Sequence, residues 1–98
     1  MEIKKVQEGT ALSIALEGRL DTTTAPRLET ELKSNIGGVT ELNFDLSTLE
    51  YISSAGLRVI LSAQKVMNKQ GSMVMRNVNE NVMDVFEVTG FVDILTIE

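Results

Sequence analysis

Residues 42–69, LNFDLSTLEYISSAGLRVILSAQKVMNK, decide the fold. They open on an apolar strand, Leu42 to Leu46, with Asp45 at its C-terminal end, and cross a loop, Ser47-Thr48-Leu49-Glu50-Tyr51-Ile52. A helix then starts near Ser54 and runs to about Lys69, ending before Gly71. Its polar residues Arg58, Ser62, Lys65 and Lys69 are spaced four, three and four apart, which is one solvated helical stripe. Val59, Ala63 and Val66 form part of its buried side. A change of period from two to 3.6 within one stretch marks an α/β chain.

The pattern repeats on both sides. Ile3 to Val6 reads as a first strand, with Glu8-Gly9 turning into a second. From Leu12 the alternation places Leu12, Ile14 and Leu16 on one face and Ala11, Ser13 and Ala15 on the other. Strand, short turn and strand imply an antiparallel N-terminal pair. Gly18-Arg19-Leu20-Asp21-Thr22-Thr23-Thr24 breaks the second strand, and a helix follows with Pro26 in its first turn, where a missing N–H costs little. Ala25, Leu28, Leu32 and Ile36 are its apolar stripe, and Gly37-Gly38 its stop. Beyond the central helix, Met73 to Val78 is a strand and Asn79 can cap a helix carrying Val82, Val85 and Phe86. Gly90 ends that helix, and Ile94 to Ile97 is a short last strand. Strands separated by helices should run parallel, joined by right-handed crossovers. The expected architecture is one domain over residues 1–98: a mixed sheet of four or five strands with helices mainly on one face.

Composition narrows the chemistry. The 98 residues include no cysteine and no histidine. That removes disulfides, thiolate nucleophiles, Cys/His metal sites and histidine acid–base catalysis. The net charge is −5, without a basic cluster, and only four residues are aromatic, so direct binding to nucleic acid is not expected. No apolar run reaches the roughly 18 residues of a membrane span, and the MEIKKVQEGT start has no apolar signal core. A cytoplasmic protein is the expectation. No lysine-bearing phosphate loop and no EF-hand spacing occurs, and no cofactor is implied. The five methionines, four of them being Met67, Met73, Met75 and Met83, fall at core-like positions.

The candidate site lies in Tyr51-Ile52-Ser53-Ser54-Ala55-Gly56-Leu57. Ser54 opens a helix, and Ala55 and Gly56 leave the first turn uncrowded. Its Oγ has two readings: a simple N-cap for the next turn's N–H groups, or a hydroxyl where those groups and the helix dipole favour a phosphate. It is no hydrolase nucleophile, since the G-x-S-x-G spacing and a histidine base are both missing. Loops at the C-terminal ends of parallel strands gather on one face, which would bring Asp21 and Asp45 to Ser54. The alternative for the aspartates is local: Asp21 capping a turn and Asp45 accepting loop N–H bonds.

Four segments carry a resemblance. Gly18-Arg19-Leu20-Asp21-Thr22-Thr23-Thr24-Ala25 resembles the opening motif of STAS domains, and Leu42-Asn43-Phe44-Asp45-Leu46 their central strand. Tyr51-Ile52-Ser53-Ser54-Ala55-Gly56-Leu57 is similar to their phosphorylation-site signature, and Phe86-Glu87-Val88-Thr89-Gly90-Phe91 to the end of their third helix. The nearest members are bacterial anti-sigma factor antagonists. The resemblance implies partner switching: the unphosphorylated protein binds an anti-sigma factor, itself a serine kinase, and frees a sigma factor. Phosphorylation by that kinase breaks the complex, and a PP2C-type phosphatase restores it. By position the acceptor is Ser54, in an environment of Asp21, Asp45 and Gly56, and the expected contact face holds Thr22, Thr23, Ser53, Ser54 and Arg58. A monomer or weak dimer is expected.

Two departures from the family pattern are visible. Archetypes have aspartate before the acceptor where this chain has Ser53, which makes Ser53 a rival acceptor. The chain reaches Glu98 without the C-terminal helix of many relatives, so part of their helical layer is expected to be missing. Two other functions share the fold. One is a non-switching STAS scaffold or accessory module of a lipid-transport or stress-sensing complex. The other is a weak nucleotide binder or hydrolase.

Overall fold

A computed structural model describes residues Met1–Glu98. Five strands form one sheet in chain order: β1 (Glu2–Glu8), β2 (Ala11–Leu20), β3 (Glu41–Ile52), β4 (Ser72–Arg76) and β5 (Thr96–Ile97). Helices α1 (Ala25–Asn35), α2 (Ser54–Gln70) and α3 (Glu80–Thr89) join β2 to β3, β3 to β4 and β4 to β5. The first pair of strands is antiparallel and the remaining three pairs are parallel. This is the expected α/β arrangement.

Alternation explains the layering. Leu12, Ile14 and Leu16 of β2 are level with Leu42, Phe44 and Leu46 of β3, and Met73 and Met75 of β4 continue the row; all are buried. The opposite face carries Ser13, Glu17, Asn43, Asp45 and Arg76, which are half-buried or exposed. Helical apolar stripes cover only the first face: Ala25, Leu28 and Leu32 of α1, Ile60, Ala63 and Met67 of α2, and Val82 and Phe86 of α3 are buried. Pro26 lies in the first turn of α1 and Asn79 caps α3, both as the sequence implies.

Several boundaries differ from expectation. The segments read as breaks, 18–20 and 47–52, are strand. Register shifts between Ala15 and Glu17, and between Gly18 and Arg19, let Glu17–Leu20 pair with Thr48–Ile52. The buried positions of β3 accordingly step from Leu46 to Leu49 to Ile52, a spacing of three that erases the alternation. β4 ends at Arg76 rather than Val78, because Asn77 turns the chain with φ 57°, a conformation asparagine tolerates. The last strand starts at Thr96 rather than Ile94, after a 3-10 turn over Phe91–Asp93. Val66 is 39% exposed and not part of the buried side. Of the four methionines, Met83 is only half-buried. At Gly71 a Cβ would lie 2.0 Å from the Thr40 carbonyl oxygen, which accepts the Ser72 N–H at 2.9 Å; glycine lets the chain leave α2 against that backbone.

Candidate functional site

β2 and β3 end together. Leu20 is level with Ile52, and the Ser53 N–H donates to the Leu20 carbonyl at 2.9 Å. The residues that follow, Asp21 on one strand and Ser53 and Ser54 on the other, therefore sit side by side at the N-terminus of α2.

The two serines divide the work differently from the sequence reading. Ser53, not Ser54, is the N-cap: its backbone is extended (φ −97°, ψ 176°) and its Oγ accepts the Gly56 N–H at 3.4 Å. Ser54 is the first helical residue and is exposed. The hydrogen bond to Leu20 holds Ser53 in the extended line of β3, so helical dihedrals begin one residue later. Gly56 is buried here, and a Cβ on it would lie 2.7 Å from Leu20 Cγ and 3.0 Å from Ile52 Cγ1. Its missing side chain seats the first turn of α2 on the strand ends.

Asp21 forms an Asx turn. Its Oδ1 accepts the Thr23 hydroxyl at 2.8 Å, the Thr23 N–H at 3.0 Å and the Thr24 N–H at 3.2 Å. These donors, the Thr23 hydroxyl foremost, hold its carboxyl below the ordinary range. Thr24 completes the turn, accepting the Asp21 N–H at 2.8 Å and donating to the Arg19 carbonyl at 2.7 Å. The second oxygen of Asp21 is 3.8 Å from Arg19 Nε. The Arg19 guanidinium lies over the Tyr51 ring at 4.3 Å, so Asp21, Arg19 and Tyr51 form one exposed cluster. Neither Arg19 nor Tyr51 was singled out by sequence. Their pairing across β2 and β3 depends on the register shift, which no periodicity announces.

On the other side of Ser54, Thr22 and Arg58 line one cleft of about 280 Å³ with Pro26 and Ala55. The structure thus brings together Asp21, Thr22, Thr23, Ser53, Ser54, Gly56 and Arg58. It does not bring Asp45 to them. Asp45 is level with Ala15, six residues before Asp21 on β2, and six residues of strand span about 20 Å. Its Oδ1 accepts the Ser47 N–H at 3.0 Å and the Asn77 amide at 3.1 Å, and the Ser47 N–H leads in holding this carboxyl low. Asp45 pins the β3–β4 side of the sheet, and the local reading of its role is the right one.

The chemistry available is acceptor chemistry. Ser54 offers an exposed hydroxyl at the positive end of a 17-residue helix. The Asp21 carboxylate at this end of the sheet is committed through Oδ1 to threonine donors. No group of three or more acidic side chains is placed to hold a metal ion. No helix is long and apolar enough to cross a membrane.

Known proteins share this fold. The STAS domain family profile matches residues 2–98. BtrV of Bordetella bronchiseptica is 38% identical over 88 residues, spanning 88% of this chain and 76% of its own length. The anti-sigma-B factor antagonist of Bacillus subtilis is 30% identical over 98 residues, spanning 99% and 88%. Among solved structures, unphosphorylated SpoIIAA, an anti-sigma factor antagonist, superposes with a TM-score of 0.86 at 19% identity, covering 99% of this chain and 88% of its own. Its phosphorylated Bacillus form superposes at 0.78, with 18% identity and coverage of 99% and 91%.

Proposed function

The chain belongs to the STAS-domain family of anti-sigma factor antagonists, which are regulatory binding proteins rather than enzymes, and from that premise we propose a phosphorylation switch centred on Ser54. In its unphosphorylated form the protein binds an anti-sigma factor that is a serine kinase, and so releases a sigma factor in the cytoplasm. The kinase phosphorylates Ser54 and the complex parts; a PP2C-type phosphatase resets it. The contact face is the edge formed by Thr22, Thr23, Ser53, Ser54 and Arg58, extended in this reading to Arg19 and Tyr51, which cluster with Asp21.

The observation that carries this reading is the position of Ser54: exposed, first in α2, with its neighbour Ser53 already supplying the cap. A phosphate there adds about −1.5 to −2 charges where first-turn N–H groups and the helix dipole favour an anion. The fold bears the modification, and the cost falls on the partner as steric conflict and lost contact. Ser53 is the poorer acceptor, because it is half-buried and its oxygen holds the Gly56 N–H.

Incubation with the cognate kinase and ATP, followed by mass spectrometry, tests this directly. Phosphate is expected on Ser54 in the wild type and absent from Ser54→Ala, with Ser54→Asp losing capture of the kinase. Undiminished labelling of Ser54→Ala moves the acceptor elsewhere. No labelling by a partner that does bind favours a non-switching module, a reading supported by Ser53 standing where archetypes have aspartate.

A further inference from the structure

The charges of the helical layer are segregated. α2 carries Arg58, Lys65 and Lys69 and no acidic residue. α3 and the 3-10 turn after it carry Glu80, Asp84, Glu87 and Asp93 and no basic one. Each set borders apolar side chains that the fold leaves uncovered. Between α1 and α2 runs a groove of about 280 Å³ lined by Leu32, Ile36, Val59 and Val66, with Val66 39% exposed. Its α1 rim bears Glu29 and Lys33, which offset each other at 3.7 Å; no α2 cation lines the groove itself, but Lys65 and Lys69 stand on the same helix within three residues of Val66. Past Glu29 and Val59 the groove continues into the cleft of Thr22 and Arg58. On α3, Val88 is 87% exposed, the most exposed large apolar side chain of the chain, with Val92 and Ile94 at 40% and 48%. Its own chain gives it no cover.

We propose that these two surfaces are made for each other in separate copies: α3 of one molecule seats Val88 in the α1–α2 groove of a second, with Asp84 and Glu87 set against the Lys65–Lys69 side of α2. The two patches are different surfaces, so the contact is heterologous and joins copies head to tail rather than as a two-fold dimer. One valine and a few exposed ion pairs make a weak contact that salt screens. It forms at high protein concentration and fades as ionic strength rises. Where the groove is filled, the cleft beside Ser54 is crowded. Self-association therefore competes with the anti-sigma factor, a consequence that rests on the proposed function although the self-association does not.

Sedimentation velocity on the whole chain, over a concentration series at low and physiological salt, provides the test. The mean mass of wild type should rise with concentration and fall with salt. Lys65→Glu/Lys69→Glu and Asp84→Lys/Glu87→Lys, each alone, should associate at least about tenfold more weakly, since each sets like charges against each other. An equal mixture of the two variants restores opposite charges at the contact and should recover association. All four sites are exposed, and circular dichroism checks that the variants keep the fold. Wild type that stays monomeric throughout the low-salt series overturns the proposal. Association that survives in both variants overturns it too, and places the contact elsewhere, such as the exposed β1 edge. Monomeric wild type whose Lys65→Glu/Lys69→Glu variant loses the anti-sigma factor assigns the groove to that partner instead.

Discussion

Ser53 and Ser54 are adjacent and chemically identical, yet one is structural and the other free. Removing the Ser53 hydroxyl unties the Gly56 N–H, so Ser53→Ala should lower stability by about 1 kcal/mol in urea melts. Ser54→Ala should stay within about 0.5 kcal/mol, and Ser54→Asp should be neutral or slightly stabilising because it puts an anion in the first turn. Equal losses at the two positions would contradict the division. Gly56→Ala is a sharper probe. Alanine is the better helix former by about 1 kcal/mol, but its Cβ would press on Leu20 and Ile52 in the core, and overpacking there costs about 1–3 kcal/mol. A net loss in thermal stability is expected; a gain would mean that the strand ends yield. The serine pair, Asp21 and Gly56 were legible as a site because their motif is local. Which serine caps was not, since the bond from Ser53 to Leu20 crosses thirty-odd residues of chain.

Elements were legible where one period ran unbroken. Apart from half-buried Ile36 and exposed Val66, the stripes of α1 and α2 and the alternation of Leu12, Ile14 and Leu16 translate into buried faces. Strand length was not legible, because β2 and β3 continue through register shifts that look like loop. The same blind spot placed Asp45 at the end of a strand that runs on for seven more residues, and so joined it wrongly to Ser54. α3 shows how a capping residue can serve two elements. Asn79 accepts the Val82 N–H at 3.0 Å and donates its amide to the Leu49 carbonyl of β3. Asn79→Ala forfeits the cap and removes the side-chain donor from the carbonyl of buried Leu49, a loss of about 2 kcal/mol. Asn79→Asp keeps the cap but sets a carboxylate against that carbonyl, so it should recover little of the loss at neutral pH. Full recovery in denaturant titrations would show the Leu49 bond to be energetically idle.

Across the whole molecule, acid should find the two turn carboxylates. Asp21 and Asp45 both titrate below the ordinary aspartate value, held by the Thr23 hydroxyl and the Ser47 N–H respectively. The folded chain therefore releases their protons more readily than the unfolded chain does. Their contribution to stability is complete above about pH 4, where an unfolded aspartate is ionised, and is lost as pH falls through the lowered folded values. Urea midpoints should drop on acidification in this window, and Asp21→Asn/Asp45→Asn should flatten the drop. An unchanged slope would assign acid sensitivity to other carboxylates. The strand order, finally, bears on how the chain is made. Spatial order equals chain order from β1 to β5, so no strand must be threaded between two neighbours that have already paired. Each strand leaving the ribosome meets its partner in place: first the β1–β2 hairpin, then one parallel strand at a time, each delivered by its helix. The last, β5, is joined by only two register pairs, Val74 with Thr96 and Met75 with Ile97. It closes the nascent sheet last and should open first, exchanging its amide hydrogens ahead of those shared by β2 and β3.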